Sequence, residues 1–295
     1  MVRRGTSKPR RVLRTLKELA AFVRLIAWSG AVSPEGYKGS VGGRPQSLFM
    51  VAEPGSGKTE LLERFRCNKQ LEFFSDITMR QLLPSLRKAR RGDVTHIVVT
   101  EFQKVISRRR ETAQNFCALI LQAMEEGVGR VAFGPYSYDL GGARLGLLAA
   151  STVTSMQRHP WIIRELAMDS RMYMVDARSD DHELDMLRRL IADGDTSLLT
   201  PVVCRLPEKK VRVHLPPTLA HRVIPWIAEM KKVGSREYGL RSLTRFYRTL
   251  LGIAVMHGRE WVKRCDLDEL YAFRRFWLEL PDLDAFAESN MDEPT

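Results

Sequence analysis

Apolar positions recur along this chain in two periods. Val12, Leu16, Leu19, Val23 and Ile26 follow one another at steps of four and three, the spacing of one helix face, and predict an amphipathic helix ending near Gly30. Residues 31–46 are crowded with glycine, proline and serine and predict a loop. Short apolar runs follow at 47–52 (SLFMVA), 95–102 (THIVVTEF), 145–152 (LGLLAAST) and 172–177 (MYMVDA). Each has the length and apolar character of a strand buried on both faces, as in a parallel sheet. Helices are predicted between them, from Thr59 to about Arg66 and from Thr112 to Glu126, where Phe116, Leu119, Ile120 and Ala123 share a face. The stretch 129–146 predicts a small hairpin, and 209–217 a short extended piece.

Strands alternating with helices predict a three-layer α/β domain with a parallel sheet. From Thr218 the pattern turns helical, chiefly over 239–258 and 266–280. The expected division is an α/β domain over 1–200, a helical lid over 201–280 and a tail over 281–295.

Charge changes the picture. Lysine and arginine total 47 against 35 acids, a formal net charge of +12, which favours polyanionic partners such as nucleic acid. The charge is also uneven. Seven bases and no acid occupy residues 1–17, and acids without bases occupy the tail from Glu279. Cys67, Cys117, Cys204 and Cys265 stand far apart without metal-ligand spacing, so buried free thiols are expected rather than zinc. No apolar run reaches the length of a membrane span, and no secretory signal is evident. A cytoplasmic or nucleoid-associated location is the corresponding expectation.

The chemistry sits first at 52–59, AEPGSGKT, where a strand runs into a glycine turn and then a helix. Gly55 and Gly57 free the backbone to approach a phosphate closely, and the N–H groups of the Glu53, Pro54, Gly55, Ser56, Gly57 stretch and of Lys58 and Thr59 would line the cradle, Pro54 contributing shape only. Lys58 would reach the β- and γ-phosphates, and the Thr59 hydroxyl would ligate Mg²⁺. ATP with Mg²⁺ is the expected ligand. Hydrolysis needs more: a group to orient water, and cations for the γ-phosphate. Glu101, at the end of the 95–102 run, is the candidate base. Thr100 stands where a nucleotide hydrolase usually carries the aspartate that holds a metal-bound water, so slow turnover is expected.

With those residues in view, the chain resembles the AAA+ ATPases of the helix-2-insert branch, which includes MCM helicases, magnesium chelatase subunits and MoxR-like ATPases. VVTEFQKV with ALILQAMEEG resembles the MCM stretch around the second ATPase motif, GLLAASTVTSM the first-sensor strand, and RELAMDSRMYMV the segment with the arginine finger. YGLRSLTRFYRTLLGIAVMHG resembles the helical lid. The likeness covers about residues 12–275. It implies Thr152 as first sensor, Arg171 as a finger acting in a neighbour's site, with Arg164 as its rival, and Arg241 as second sensor, with Arg236 and Arg245 as rivals. Whether Arg241 serves its own nucleotide or a neighbour's stays open.

The resemblance also implies a homo-oligomeric ring or spiral acting on DNA, in replication, recombination or a mobile-element process. The hairpin falls where the branch is expected to carry its insert, so Arg130 with Tyr136 and Tyr138 is a candidate nucleic-acid contact, as is the basic turn of Arg108, Arg109 and Arg110. About 45 residues precede the phosphate loop, and they already match the ATPase's own first helix and loop. The expectation is therefore a stand-alone module, and unwinding activity does not follow from the likeness. Two alternatives stay open: a MoxR- or chelatase-like remodelling of a protein client, and a weakly hydrolysing switch that only assembles a complex.

Overall fold

The computed structural model describes residues 8–33, 43–133, 136–177, 189, 192–194, 200–232 and 239–278. The first seven residues of the basic stretch, Arg236, and the acidic tail from Glu279 lie outside the described residues.

The chain forms an α/β fold around a five-stranded, all-parallel sheet. Its strands are β1 (Leu48–Ala52), β2 (Leu71–Phe74), β3 (His96–Val99), β6 (Gly146–Thr152) and β7 (Tyr173–Asp176), in the order β2-β3-β6-β1-β7. A separate antiparallel hairpin pairs β4 (Val128–Phe133) with β5 (Tyr136–Ala143). Successive side chains of a strand point to opposite faces, and β1 shows what that does here. Leu48 and Met50 enter one hydrophobic core, and Phe49 and Val51 the other. Both faces are covered, which makes three layers.

On one face lie α1 (Lys8–Trp28), α2 (Lys58–Glu63) and the C-terminal helices, α8 (Pro217–Ala220), α9 (Ile224–Lys232), α10 (Gly239–Met256), α11 (Arg264–Ala272) and α12 (Arg275–Leu278). On the other lie α3 (Met79–Arg91), α4 (Phe102–Ile106) and α5 (Arg110–Glu125), with α6 (Val153–Arg158) and α7 (Trp161–Arg164) following β6. The C-terminal helices therefore share one continuous core with α1 and the sheet.

Tyr173 of β7 shows how that core is tied together. Its ring meets Phe22 of α1 edge-on at 5.2 Å, and its hydroxyl is 2.9 Å from Thr249 Oγ1 of α10. Arg245 of α10 lies buried over the same ring and donates to the backbone oxygens of Met172 and Asp169. Further along, α10 crosses the end of α1 at Gly252. A Cβ there would stand 2.8 Å from the Cα and N of Ser29. Ser29 cannot retreat, because its Oγ donates to Ile26 O and accepts from Gln46 N at 2.7 Å. Gly252→Ala is expected to cost about 1–3 kcal/mol through overpacking, read as a lowered midpoint in urea with an unchanged slope.

Several elements were not anticipated: β2, α3 and the short helices α4, α6 and α7. Thr78 opens α3 with a capping box, its hydroxyl accepting from Gln81 N while the Gln81 side chain accepts from Thr78 N. Leu82, Leu83, Leu86 and Ala89 face the core, and Arg80, Arg87, Arg90 and Arg91 face outward. This helix is continuous. The hairpin lies between α5 and β6, where the sequence placed it, and packs against α3, with Arg87 over the Tyr138 ring. The cysteine expectation is corrected in part: all four are free, but only Cys117 and Cys204 are buried.

Among the described residues no helix is long and apolar enough to cross a membrane.

Candidate nucleotide site

The strand order decides what meets. In an open parallel sheet, ligands bind beyond the carboxyl ends of the strands. Strand β6 lies between β1 and β3, with Thr152 abreast of Ala52 and Val99 abreast of Ala149. The phosphate loop, Thr152 and the Thr100–Glu101 pair therefore end side by side. Two strand spacings, about 10 Å, separate β1 from β3.

The loop itself is built for a close anion. Gly55 and Gly57 both hold φ at 79°, a left-handed conformation that only glycine adopts without strain. A Cβ added at Gly55 would meet nothing within 4 Å, so the space in front of the loop is open. Glu53, Pro54 and Gly55 are exposed, Ser56 is buried, and Thr59 is half-buried in the first turn of α2.

Lys58 is turned into the loop. Its Nζ donates to Ala52 O at 3.0 Å, Glu53 O at 2.7 Å and Ser56 Oγ at 2.9 Å. Burial pushes its pKa down to about 8, against the weaker opposing pull of Glu53 and Glu60. The ammonium is held by neutral oxygens, and a phosphate would supply the charge they lack. These residues fit a magnesium–triphosphate group: Lys58 and the loop N–H groups for the phosphates, and the Thr59 hydroxyl for the metal. Thr100 is buried beside them and offers a hydroxyl only.

Glu101 is half-exposed at the start of α4 and pairs with Lys104 at 2.8 Å. The Thr152 hydroxyl accepts from Ser155 N at 3.2 Å and donates to Ser155 Oγ at 2.9 Å, capping α6. Its hydrogen bonds are made to the helix start.

Arg171 and Arg241 lie elsewhere. Tyr173 is abreast of Leu48 where β1 begins, and Arg171 precedes Tyr173. The whole of β1, at least about 17 Å at 3.3–3.4 Å per residue, separates its level from the phosphate loop. Arg241 Nη1 donates to Ser170 Oγ at 3.1 Å, so it stands at the same far end. Both arginines converge on one carboxylate: Arg171 Nε is 3.5 Å and Arg241 Nε 4.0 Å from Glu125. Neither reaches the phosphate-loop residues of its own chain. The rival Arg245 is committed to its backbone contacts at β7.

Glu125 was not anticipated, although a signal existed. An acid in the last turn of a helix opposes the helix dipole and calls for cations nearby.

The basic turn does not form an array of free cations. Arg108 donates to Ile77 O at 2.6 Å and pairs with Asp76, Arg110 pairs with Glu165, and exposed Arg109 lies 4.0 Å from Glu111. Arg130 is exposed on β4, opposite Asp139.

Two other candidates carry no chemistry of their own. His257, Asp266 and Glu269 bring ligand atoms within 4.8 Å of one another, but Arg259 takes both oxygens of the buried Asp266. A cleft of about 330 Å³ beside β2 is lined by Lys88 with Glu72 and Arg91 with Asp93, pairs that neutralise each other. No protein-family model matches the chain, and a comparison with curated proteins returns no match.

Proposed function

We propose that the chain is an AAA+ ATPase that binds MgATP at 52–59 and hydrolyses it at the junction between two copies. One observation carries this reading. The phosphate loop, Thr152 and Glu101 gather at one end of the sheet, while Arg171 and Arg241 gather at the other. A ring or spiral that sets one end against the other would complete the site, and one copy alone would not.

In this reading Gly55, Gly57 and Lys58 hold the phosphate chain, and Thr59 holds the magnesium ion, which supplies charge neutralisation when bound. Glu101 leaves Lys104 to take a proton from the attacking water. Thr152 orients that water through its hydroxyl, more weakly than an amide. Arg171 of the adjoining copy stabilises charge developing on the γ-phosphate. Arg241, sharing Glu125 with Arg171, also acts on the neighbour's nucleotide.

The proposed partner is DNA. Arg80, Arg87 and Arg90 on the outward face of α3, which packs against the hairpin carrying Arg130, offer bases for it on a chain of net charge +12.

The test is steady-state ATP hydrolysis by wild type and Glu101→Gln, with and without single- and double-stranded DNA. Loss of the base is expected to lower turnover about 10²–10⁴-fold with ATP affinity retained, and DNA is expected to stimulate the wild type. Turnover indifferent to DNA would favour a protein client instead. ATP binding without turnover in the wild type would leave only the assembly switch.

A further inference from the structure

One aromatic side chain has no use in the core or in the nucleotide site. Of the five tryptophans, Trp28, Trp161, Trp226 and Trp277 are buried, whereas Trp261 is 56% exposed. It lies in the connection between α10 and α11, in a short run paired in parallel with the segment that precedes α8. His214 N donates to Glu260 O at 2.8 Å and Val262 N donates to His214 O at 2.9 Å, which sets His214 and Trp261 abreast. Alternation then divides this ribbon into two faces. Val213, Leu215 and Val262 enter the core, while Arg212, Trp261 and Lys263 are exposed on the other face, with half-buried His214 among them.

The outward face is held in place. The His214 and Trp261 rings stack at 4.7 Å between centroids and 30° between planes, which fixes the direction of the indole while most of the residue stays open to solvent. The buried Asp266 accepts from Lys263 N at 2.8 Å and from the Arg259 guanidinium, so one carboxylate pins the run on both sides of Trp261. The facing segment is tied at its start, where Val211 N donates to Ala31 O at 2.8 Å and Val211 O accepts from Ser33 N at 2.7 Å. A single exposed apolar side chain is ordinary on a protein surface. A ring held in a fixed plane, with one exposed cation two residues before its stacking partner and another two residues after itself, offers more. Nucleobases stack on such a ring, and the cations take the backbone phosphates. An acidic protein segment would use the cations and leave the indole idle.

We propose that His214 and Trp261, with Arg212 and Lys263, form a stacking platform for single-stranded nucleic acid. The platform uses none of the residues assigned to ATP and none of the bases of α3, so it stands whether or not those assignments do.

The experiment titrates fluorescein-labelled oligo(dT) with the full chain, without ATP, and reads polarisation. Trp261→Ala is expected to weaken binding about tenfold, within the range of one base–aromatic stack, and Trp261→Phe to recover part of the loss. Lys263→Gln is expected to weaken binding and to reduce the slope of log affinity against log salt by about 0.7. Circular dichroism checks each fold, and Trp261→Phe, which keeps a ring against His214, separates lost stacking from lost structure. No binding of oligo(dT) by the wild type, or an unchanged affinity in Trp261→Ala, overturns the proposal. Oligoglutamate bound as tightly as oligo(dT) would make an acidic protein segment the occupant and overturn it as well. Arg87→Gln distinguishes this surface from the one on α3. Binding lost in Arg87→Gln but intact in Trp261→Ala keeps the α3 surface and removes this one, and the reverse result keeps this platform and removes α3.

Discussion

Lys58→Ala is expected to weaken MgATP binding by about 30- to 1,000-fold. Removing one partner from a buried, charge-assisted contact costs about 2–4 kcal/mol, and each 1.4 kcal/mol is about tenfold in Kd. The fold is expected to survive, because Lys58 contributes to the loop and not to either hydrophobic core. Titration with a fluorescent ATP analogue reads the loss, and far-ultraviolet circular dichroism reads the fold. An affinity within threefold of wild type would remove the loop from the nucleotide site.

The same lysine sets a pH dependence. Burial holds its pKa near 8 in the free protein, below the ordinary 10.5. A phosphate contact favours the ammonium and raises that value again. Below about pH 8 the lysine is charged before and after binding, and affinity is flat on its account. Above pH 8 the free lysine is neutral and binding must take up a proton, so affinity falls by up to about tenfold per unit. In the free protein the sign is opposite. A depressed lysine pKa means that the unfolded chain binds more protons between pH 8 and 10.5, so this group's contribution to stability rises with pH there. Lys58→Ala should lack the alkaline loss of affinity.

The outline of the fold was legible because buried parallel strands are apolar on both faces. The runs at 47–52, 95–102, 145–152 and 172–177 had no other use, and each contains a strand of the sheet. β2 and α3 were harder for a physical reason. Leu71–Phe74 is a four-residue edge strand with Leu71 alone fully buried, which is too short to show a period. In α3 a proline at position 84 interrupts the pattern of a helix whose exposed face is almost wholly basic. Its start signal, Thr78 three residues before Gln81, was present but local.

The site divides in the same way. The candidate phosphate loop is a local signal, eight consecutive residues with fixed backbone demands, and the structure gives Gly55 and Gly57 the left-handed φ that the pattern asks for. Glu101 and Thr152 are legible as strand ends once the sheet is parallel. That both meet the loop depends on β6 lying between β1 and β3, an order that no single segment encodes. Glu125 belongs to a third kind. Its partners come from residues 171 and 241, and only the folded chain brings them together.

Arg171→Ala is expected to leave ATP binding nearly unchanged and to lower turnover about 10³-fold or more, the range of an arginine finger. The separation argues for this split between binding and chemistry. Arg171 stands at the start of β7, the whole length of β1 away from the loop, so it adds nothing to the affinity of its own chain for nucleotide. Structural damage is expected to be small. The guanidinium donates to Leu166 O at 2.6 Å and shares Glu125 with Arg241, which remains. Loss of activity alone would not separate a finger from a support. Mixing does. Lys58→Ala lacks a working loop but keeps Arg171, and Arg171→Ala keeps the loop but lacks the finger. Each is expected to be inactive alone. Where the loop of an Arg171→Ala chain meets the far end of a Lys58→Ala chain, one intact site is rebuilt, and the mixture should recover turnover that neither component shows. Recovery should depend on total concentration, because it requires assembly. A mixture as inactive as its parts would mean that Arg171 serves only to hold the turn before β7, and the junction between copies would not be where the chemistry occurs.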